Sequence, residues 1–445
     1  MSKLFGTDGV RGLANADLTP ELAFQLGRAA AGLLRTSDKK PAMVVGRDTR
    51  LSGPMLEGAL AAGICSAGVD VYLAGIVPTP AVAYLARTMD LCAGVVISAS
   101  HNPAADNGIK FFNHQGFKLA DALEEKIELL LAEGLTGLPR PTGSELGRIF
   151  PLPDALERYA TFLKGLVKTP FAGLRIVIDC SYGAAYEIAP RVFRELGAQV
   201  IAINDLPDGM NINQSCGSTH PRGLQEAVLK FGAQLGLAHD GDADRVLAVD
   251  EKGQLVDGDQ ILVICGLALD SMKLLGGKVV VTVMSNLGLK KAFEKAGIEV
   301  LESQVGDRYV LEKMVESGAI LGGEQSGHII FLQNNTTGDG LITALQLAQV
   351  MASTGQPLSS LAGQMQVFPQ VLLNVRVASK LGWDSNDKIK LAIEAGQTEL
   401  QGKGRILVRA SGTEPLIRVM AEGPDEQELQ RITEHIAAVV TRELT

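Results

Sequence analysis

Three aspartates at alternate positions, Asp240, Asp242 and Asp244, occupy the run His239-Asp240-Gly241-Asp242-Ala243-Asp244-Arg245. An apolar stretch precedes the run and Val246–Val249 follows it, so a tight loop between two strands is expected. Along an extended loop alternate side chains share one side, and three carboxylates gathered there repel one another unless a cation lies among them. A calcium loop of the EF-hand type is excluded. Asp240, Asp242, Asp244 and Glu251 fall at its positions 1, 3, 5 and 12, but Arg245 stands at the sixth, where a sharp turn calls for Gly, and the flanks are strand-like. Three carboxylates with coordination positions to spare suit Mg²⁺ and leave room for a phosphate oxygen. A solvated acidic turn is the plain alternative.

Three further loops carry reactive or anion-binding residue types. Ser100 follows the apolar run Ala93–Ile97 and precedes His101-Asn102-Pro103. It reads equally as a nucleophile or as part of a turn. A serine-hydrolase elbow is excluded because G-x-S-x-G is absent and an adjacent His cannot easily bond its neighbour's hydroxyl. Arg409-Ala410-Ser411-Gly412-Thr413-Glu414-Pro415, with Arg418 beyond, combines hydroxyls, Gly-permitted backbone N–H groups and two guanidinium forks, a set suited to a phosphate dianion. An ordinary hairpin with surface arginines would read the same way. No G-x-x-x-x-G-K-[ST] loop occurs, so ATP is not the expected phosphoryl donor. Gly323-Glu324-Gln325-Ser326-Gly327-His328 offers donors and acceptors for sugar hydroxyls, a weak signal by itself.

The elements around these loops alternate strand and helix. Ala42–Gly46 is a continuous apolar run, as a buried parallel strand requires. A helix from Ser52 or Gly53 to Ala67 follows, then a strand over 69–75, a helix over Ala81–Thr88 and a strand over Ala93–Ser100. Four prolines between Leu138 and Pro153 mark a boundary. A second α/β unit runs through strands at 174–180, 198–204 and 235–240, with helices ending near Gly197 and starting at Pro221. A third begins near Gly258 and holds strands at 278–286 and 299–304, a helix over Leu289–Ala296 and the stretch 319–328. The tail, from Gln366, alternates three strands with helices over Asp387–Leu400 and Glu426–Thr441, an α+β pattern. The three α/β units look like imprecise repeats in which an apolar strand ends in a polar, Gly-containing loop. Ligands of open α/β sheets bind outside the carboxyl ends of strands.

Bulk properties bound the answer. A chain of 445 residues favours two to four domains at roughly 100–200 residues each. Hydrophobic residues make up 46% and charged residues 20%, which excludes a disordered protein. The net charge of −9, with no Lys/Arg run, argues against nucleic-acid binding. Cys65, Cys92, Cys180, Cys216 and Cys265 are scattered and form no CxxC pair, so neither disulfides nor zinc is expected. The opening lacks the apolar core of a signal peptide, and the longest apolar stretches, such as Ile261–Leu269, are too short for a bilayer. A soluble, cytoplasmic protein without a membrane partner is expected.

Taken in order, SASHNP, DGDADR, GEQSGH and RASGTEP, together with the opening GTDGVRG and DNGIKFF at Asp106–Phe112, resemble the α-D-phosphohexomutase superfamily over the whole chain. The forms SASHNP, GEQSGH and GTDGVRG look like the bacterial branch acting on glucosamine phosphate. That resemblance implies three similar α/β domains with mixed sheets and a smaller α+β C-terminal domain, around a central cleft. Domains at 1–152, 153–254, 255–365 and 366–445 would carry the phosphoserine, metal, sugar and phosphate loops. It implies that phosphorylated Ser100 passes its phosphoryl group to glucosamine 6-phosphate, and that glucosamine 1,6-bisphosphate turns over and returns the 6-phosphate to Ser100. Mg²⁺ would be held by Asp240, Asp242, Asp244 and the Ser100 phosphate. Lys110, Arg245 and His101 would lie close to the phosphoserine. Glu324, Ser326 and His328 would read sugar hydroxyls, and Arg409, Ser411, Gly412, Thr413 and Arg418 would clamp the non-reacting phosphate. The partner is a small phosphosugar, and a homodimer is left open. A mutase for glucose or mannose phosphates, a phosphatase and a non-catalytic sugar-phosphate binder are the alternatives.

Overall fold

The structure, a computed structural model, describes residues 4–6, 8–35, 40–411 and 414–444. The chain forms two compact units, Met1–Met284 with Ile298–Gln364, and Ser285–Gly297 with Met365–Thr445. The larger unit begins with β1 (Val10–Leu13), α1 (Pro20–Leu34), β2 (Ala42–Arg47), α2 (Gly53–Ser66), β3 (Asp70–Ile76), α3 (Thr79–Thr88), β4 (Ala93–Ile97), β5 (Asp106–Asn113), α4 (Asp121–Ala132) and β6 (Ile149–Pro151). Their sheet runs β1-β5-β4-β2-β3-β6. Next come α5 (Ala155–Gly165), β7 (Arg175–Asp179), α6 (Ile188–Glu195), β8 (Gln199–Ile203), α7 (Arg222–Phe231), β9 (Leu235–His239), β10 (Val246–Asp250) and β11 (Leu255–Val256), whose sheet runs β11-β10-β9-β7-β8. The third sheet, β13-β12-β14-β15, is built from β12 (Lys278–Thr282), β13 (Glu299–Ser303), β14 (Leu321–Gly323) and β15 (Ile329–Phe331). α8 (Gly258–Ser271) precedes it, α9 (Leu287–Lys295) and α10 (Asp307–Ser317) lie within its sequence, and α11 (Gly340–Thr354) and α12 (Leu358–Ala362) follow.

The repeat seen in the sequence is a repeat of topology. In each sheet a central strand, β2, β7 or β12, pairs in parallel with a strand on either side. One of those neighbours, β4, β9 or β14, pairs antiparallel with the strand that follows it, β5, β10 or β15. The three connections β4–β5, β9–β10 and β14–β15 are therefore equivalent positions, and they carry Ser100, the Asp triad and Glu324–His328. Mostly apolar strands buried on both faces hold them, as parallel pairing under helices demands: every residue of β4 and of β9 is buried.

The smaller unit joins α9 to β16 (Gln370–Arg376), α13 (Asp387–Glu399), β17 (Arg405–Ala410), β18 (Leu416–Glu422) and α14 (Glu426–Leu444). Its antiparallel sheet runs β16-β18-β17. Asn286 ties α9 into this unit, with its Oδ1 accepting from the N–H groups of Gly288 (2.9 Å) and Phe368 (3.1 Å). Although α9 falls between β12 and β13 in sequence, it packs with the C-terminal strands.

Several details differ from the sequence reading. β4 stops at Ile97, not Ser100, because the chain leaves the ladder to build a hydrogen-bonded loop. α3 starts at Thr79, two residues before Ala81, since Pro80 suits a first helical turn. The proline-rich stretch supplies β6, which pairs with β3. α10 and α11 had no counterpart in the sequence reading. Among the described residues no helix is long and apolar enough to cross a membrane.

One buried polar contact fixes how α5 and α11 meet. The Tyr159 hydroxyl donates to Asp339 Oδ2 at 2.5 Å, while Asp339 Oδ1 caps α11 by accepting from the N–H groups of Leu341 (3.1 Å) and Ile342 (3.0 Å). The next residue, Gly340, donates its N–H to the Ala243 carbonyl at 3.0 Å, so the cap also braces the triad loop. Tyr159→Phe should lower stability by about 1.5–3 kcal/mol, the worth of a hydrogen bond to a charged group. Urea unfolding followed by circular dichroism reads this as a lower midpoint, and an unshifted midpoint would show the contact to be idle.

Candidate active site

The β9–β10 turn aims the triad inward. Asp240, Asp242 and Asp244 are all buried, and one oxygen from each lies within 4.8 Å of the others. The turn is tight: Ala243 takes a left-handed φ of +59°. A Cβ on Gly241 would sit 2.5 Å from the Ser100 carbonyl oxygen, so Gly is required where the two loops touch. Ser100 is 1% exposed, also at a left-handed φ of +50°, and its hydroxyl donates to Asp240 Oδ2 at 2.6 Å. His101 Nδ1 lies 3.4 Å from the same hydroxyl, at the long end of hydrogen bonding. The adjacent imidazole thus does reach its neighbour, and Ser100 belongs to a buried, partnered loop more than to a surface turn.

A relay of alternating charge surrounds the triad. Lys110, on β5, lies 3.1 Å from Asp242 Oδ2, 3.2 Å from Asp8 and 3.9 Å from Asp244. Asp8 also pairs with Arg11 and, at 2.8 Å, with Lys118, which in turn pairs with Asp307 at the start of α10. His328 Nε2 lies 3.3 Å from Asp307 and 3.9 Å from Asp244, and Arg245 Nε lies 3.8 Å from Asp244. Thr79, the first residue of α3, gives its hydroxyl to Asp242 Oδ2 at 2.7 Å and its N–H to the Asp242 carbonyl at 2.9 Å.

These surroundings split the triad. Burial, followed by repulsion from Asp244 and Asp242, pushes the Asp240 carboxyl well above the usual carboxylate range. Burial acts on Asp242 in the same sense, but Lys110 and the Thr79 hydroxyl outweigh it and hold that carboxyl far below the range. For Lys110 the pull of burial is outweighed by Asp242, Asp8 and Asp244, so its ammonium is reinforced. The His101 imidazole is shifted down, first by burial and then by Arg245 and Arg11.

The donor set fits a hard divalent cation. Asp242 Oδ1 and Asp244 Oδ1 are buried with no hydrogen-bond partner, which is costly unless something else satisfies them. All the ligands are carboxylate oxygens, as an oxygen-seeking metal prefers. This cluster could hold a metal ion.

Most sequence-predicted residues of the first three loops converge here: Ser100, His101, Lys110, Asp240, Asp242, Asp244, Arg245 and His328. Glu324 is half-buried and its Oε1 accepts from the Gly306 N–H at 3.1 Å, while Ser326 is exposed. The hydrogen bond from the Val246 N–H to the Gly327 carbonyl, at 3.2 Å, seats their loop on β10. In the smaller unit, Arg409 and Arg418 stand directly opposite in the β17–β18 register. Burial and the facing Arg418 lower the Arg409 guanidinium. Ser411 is buried, and its carbonyl accepts from Lys380 Nζ at 2.6 Å. Gly412 and Thr413 lie outside the described residues. Sequence reasoning missed Thr79, Lys118, Asp307 and Lys380. Asp8 and Arg11 were within reach, because the opening GTDGVRG contains both.

Comparison with known proteins accords with this geometry. The chain matches the family models for phosphoglucomutase/phosphomannomutase: alpha/beta/alpha domain I at residues 2–136, domain II at 157–253, domain III at 257–368 and the C-terminal domain at 372–439. The phosphoglucosamine mutase of Desulforamulus reducens is 60% identical over 441 residues, covering 99% of this chain and 99% of the relative. That of Carboxydothermus hydrogenoformans is 60% identical over 444 residues, 99% and 100% of the two chains. Among solved structures, a phosphoglucomutase/phosphomannomutase family protein from Burkholderia thailandensis superposes with a TM-score of 0.83 at 26% identity, over 99% of this chain and 97% of that one. The N-acetylphosphoglucosamine mutase of Aspergillus fumigatus, solved with GlcNAc-6P and magnesium, shares the fold with a TM-score of 0.69 at 18% identity, over 99% and 96% of the chains.

Protein stripped with a chelator should bind one hard divalent cation, read by calorimetry as a one-site isotherm. Asp244→Asn should weaken that binding on the order of 10-fold or more, the cost of losing about 1.4 kcal/mol or more of charge attraction. Equal affinity in wild type and variant would remove the triad as the metal site.

Proposed function

The chain belongs to the phosphoglucosamine mutase family, and on that premise we propose that it interconverts glucosamine 6-phosphate and glucosamine 1-phosphate through a phosphoserine at Ser100. The observation that carries this reading is the 2.6 Å contact between the Ser100 hydroxyl and Asp240 inside the carboxylate cluster. A nucleophile set on a metal-binding group suits phosphoryl transfer, in which positioning and charge neutralisation supply most of the catalysis.

In the forward direction the bond from phosphorus to Ser100 Oγ breaks and a bond to the sugar O1 forms. The proton of that hydroxyl leaves and the departing Ser100 Oγ takes one up, which gives glucosamine 1,6-bisphosphate and a free serine. The bisphosphate turns over, its O6–phosphorus bond breaks, Ser100 Oγ gives up its proton and takes the group back, and O6 takes up a proton to release glucosamine 1-phosphate. Mg²⁺ held by Asp240, Asp242, Asp244 and the Ser100 phosphate would neutralise charge on the moving group. Lys110 and Arg245 add fixed positive charge beside the triad, and His101 lies within reach of Oγ. Glu324, Ser326 and His328 would bind sugar hydroxyls. Arg409, Ser411, Gly412, Thr413 and Arg418 would bind the non-reacting phosphate, a role that explains why two guanidiniums face each other at a cost in repulsion.

We assign the phosphoserine, metal, sugar and phosphate loops to domains at 1–152, 153–254, 255–365 and 366–445. Glucosamine phosphates are charged metabolites that feed amino-sugar nucleotide and cell-wall precursor synthesis, and a cytoplasmic location suits that supply. A monomer or a homodimer could carry it out, since one chain supplies every proposed group.

Ser100→Ala should lose nearly all mutase turnover, while intact-mass spectrometry of the wild type finds a fraction heavier by one phosphoryl group on Ser100. Robust isomerisation by the Ala variant would end this reading. Wild-type rates on glucosamine 6-phosphate should exceed those on glucose 6-phosphate and mannose 6-phosphate. Inorganic phosphate released without isomerisation would mark a phosphatase instead.

Arg418→Ala should raise KM with little loss of stability, because it removes one of two facing cations along with a phosphate fork. An unchanged KM, in this variant and in Arg409→Ala, would leave the loop without a role in phosphate binding.

A further inference from the structure

Ser100 holds its unusual backbone conformation because its peptide groups are gripped from both sides. Its carbonyl oxygen accepts from Arg50 Nη2 at 2.9 Å and from Asn213 Nδ2 at 2.8 Å. The Asn102 carbonyl accepts from the same two atoms, at 2.9 and 3.0 Å. Arg50 Nη1 donates to the Pro103 carbonyl. On the other side the Ser100 N–H donates to Ser98 Oγ at 3.0 Å, and that hydroxyl donates to Asp48 Oδ2 at 2.6 Å. The same Asp48 oxygen is paired with Arg50 Nε at 2.9 Å, which closes the loop of contacts. Arg50 is 0% exposed and Asn213 9%. A carbonyl has two lone pairs, so two donors saturate both the Ser100 and the Asn102 oxygens.

We propose that Arg50 and Asn213 are positioning residues for phosphoryl transfer, which set the direction of the Ser100 hydroxyl; this inference rests on the function proposed above. Among the described residues neither side chain hydrogen-bonds an Asp-triad carboxylate, yet both fix the residue whose hydroxyl does. A non-glycine residue at a φ of +50° stays there only if its surroundings prefer it. Asn213 adds a second constraint. It lies between β8 and α7, outside the sheet that carries Ser100, and is itself left-handed at +59°, with its N–H held by the Ser181 carbonyl at 2.9 Å. A Cβ on Gly241 would come within 2.8 Å of Asn213 Nδ2. The amide is thus wedged against the triad loop while it grips the Ser100 loop, and it sets the register between nucleophile and metal ligands. A misplacement of about 1 Å can cost on the order of 100-fold in rate.

The test compares Asn213→Ala, Asn213→Asp and Arg50→Lys with wild type on glucosamine 6-phosphate, with the matching bisphosphate and Mg²⁺ present. Asn213→Ala should lower kcat on the order of 10–100-fold, with KM and thermal midpoint little changed. Asn213→Asp keeps the shape but turns an oxygen toward two carbonyl oxygens, so its kcat should fall further. Arg50→Lys keeps the charge facing Asp48 and loses the fork, so its kcat should fall too, and with Asn213→Ala the two losses should be non-additive because they act on the same two carbonyls. Wild-type kcat in both Asn213 variants would overturn the proposal. So would a loss explained wholly by a raised KM or by a smaller folded fraction with normal turnover per folded molecule. A wild type that isomerises no hexose or hexosamine phosphate would overturn the mutase reading itself, a result plainly different from variants that match an active wild type.

Discussion

Repulsion among Asp240, Asp242 and Asp244 is the constraint on which the larger unit's architecture turns. Their oxygens lie within 4.8 Å of one another in a buried place, where like charges interact far more strongly than in water. Among the described residues a cation comes within hydrogen-bond distance of Asp242 alone of the three. Lys110 and Thr79 hold Asp242, and Lys110 is itself shared with Asp8. Asp240 receives the Ser100 hydroxyl and the Arg245 N–H but no cation at hydrogen-bond distance among the described residues. Asp240 is thus left short of close positive charge on the face where the Ser100 hydroxyl stands. A metal ion and a phosphoryl group are together the kind of ligand that balances such a face.

The three equivalent strand connections explain how such a site can be assembled at all. Each α/β sheet delivers one loop from the same topological position, the exit of a parallel strand toward an antiparallel partner. One supplies the hydroxyl, the next the carboxylates and the third the polar residues around His328. Loops leaving parallel strands at their carboxyl ends are where open α/β sheets place ligands. The fold repeats a scaffold and varies the chemistry on it. His328 departs from this division. Although it comes from the third loop, it is buried beside Asp307 and Asp244 and so joins the charge relay around the Asp triad.

How much of this was legible in the sequence follows from the range of each interaction. The triad was legible because its members are two residues apart and a single extended loop suffices to converge them. The buried parallel strands were legible from their apolar runs. Partners far apart in the chain leave no such trace. Thr79 meets Asp242 across 163 positions and Lys118 meets Asp307 across 189, with no spacing rule to link them. α11 is apolar nearly all round, with nine of its residues buried, so it lacks the one-sided stripe by which a surface helix announces itself. At Ser100 the residue types left nucleophile and turn equally open for a related reason. Ser, Asn and Pro signal an exposed turn when the loop must find its hydrogen bonds in water. Here Arg50 and Asn213 supply those bonds from elsewhere in the chain, so the loop can be buried.

The same reasoning bears on the strained backbone around the triad. Ser100, Ser181, Tyr182, Asn213 and Ala243 all take left-handed φ values between +50° and +59°, and all belong to segments that touch at the triad. Each such residue costs about 1–3 kcal/mol relative to relaxed backbone. Glycine would relieve the cost at any of them, but only serine carries the hydroxyl at position 100 and only asparagine among these carries an amide that can reach two carbonyls. Where no side chain is needed, at Gly241 and at Gly183, which packs against it, glycine is present. Other left-handed residues, such as Leu135, Lys273 and Gln401, lie in turns away from the triad, so the conformation alone does not mark a site. At Ser100 and Asn213 it coincides with a side chain that bonds across the loops, the hydroxyl to Asp240 and the amide to the Ser100 and Asn102 carbonyls.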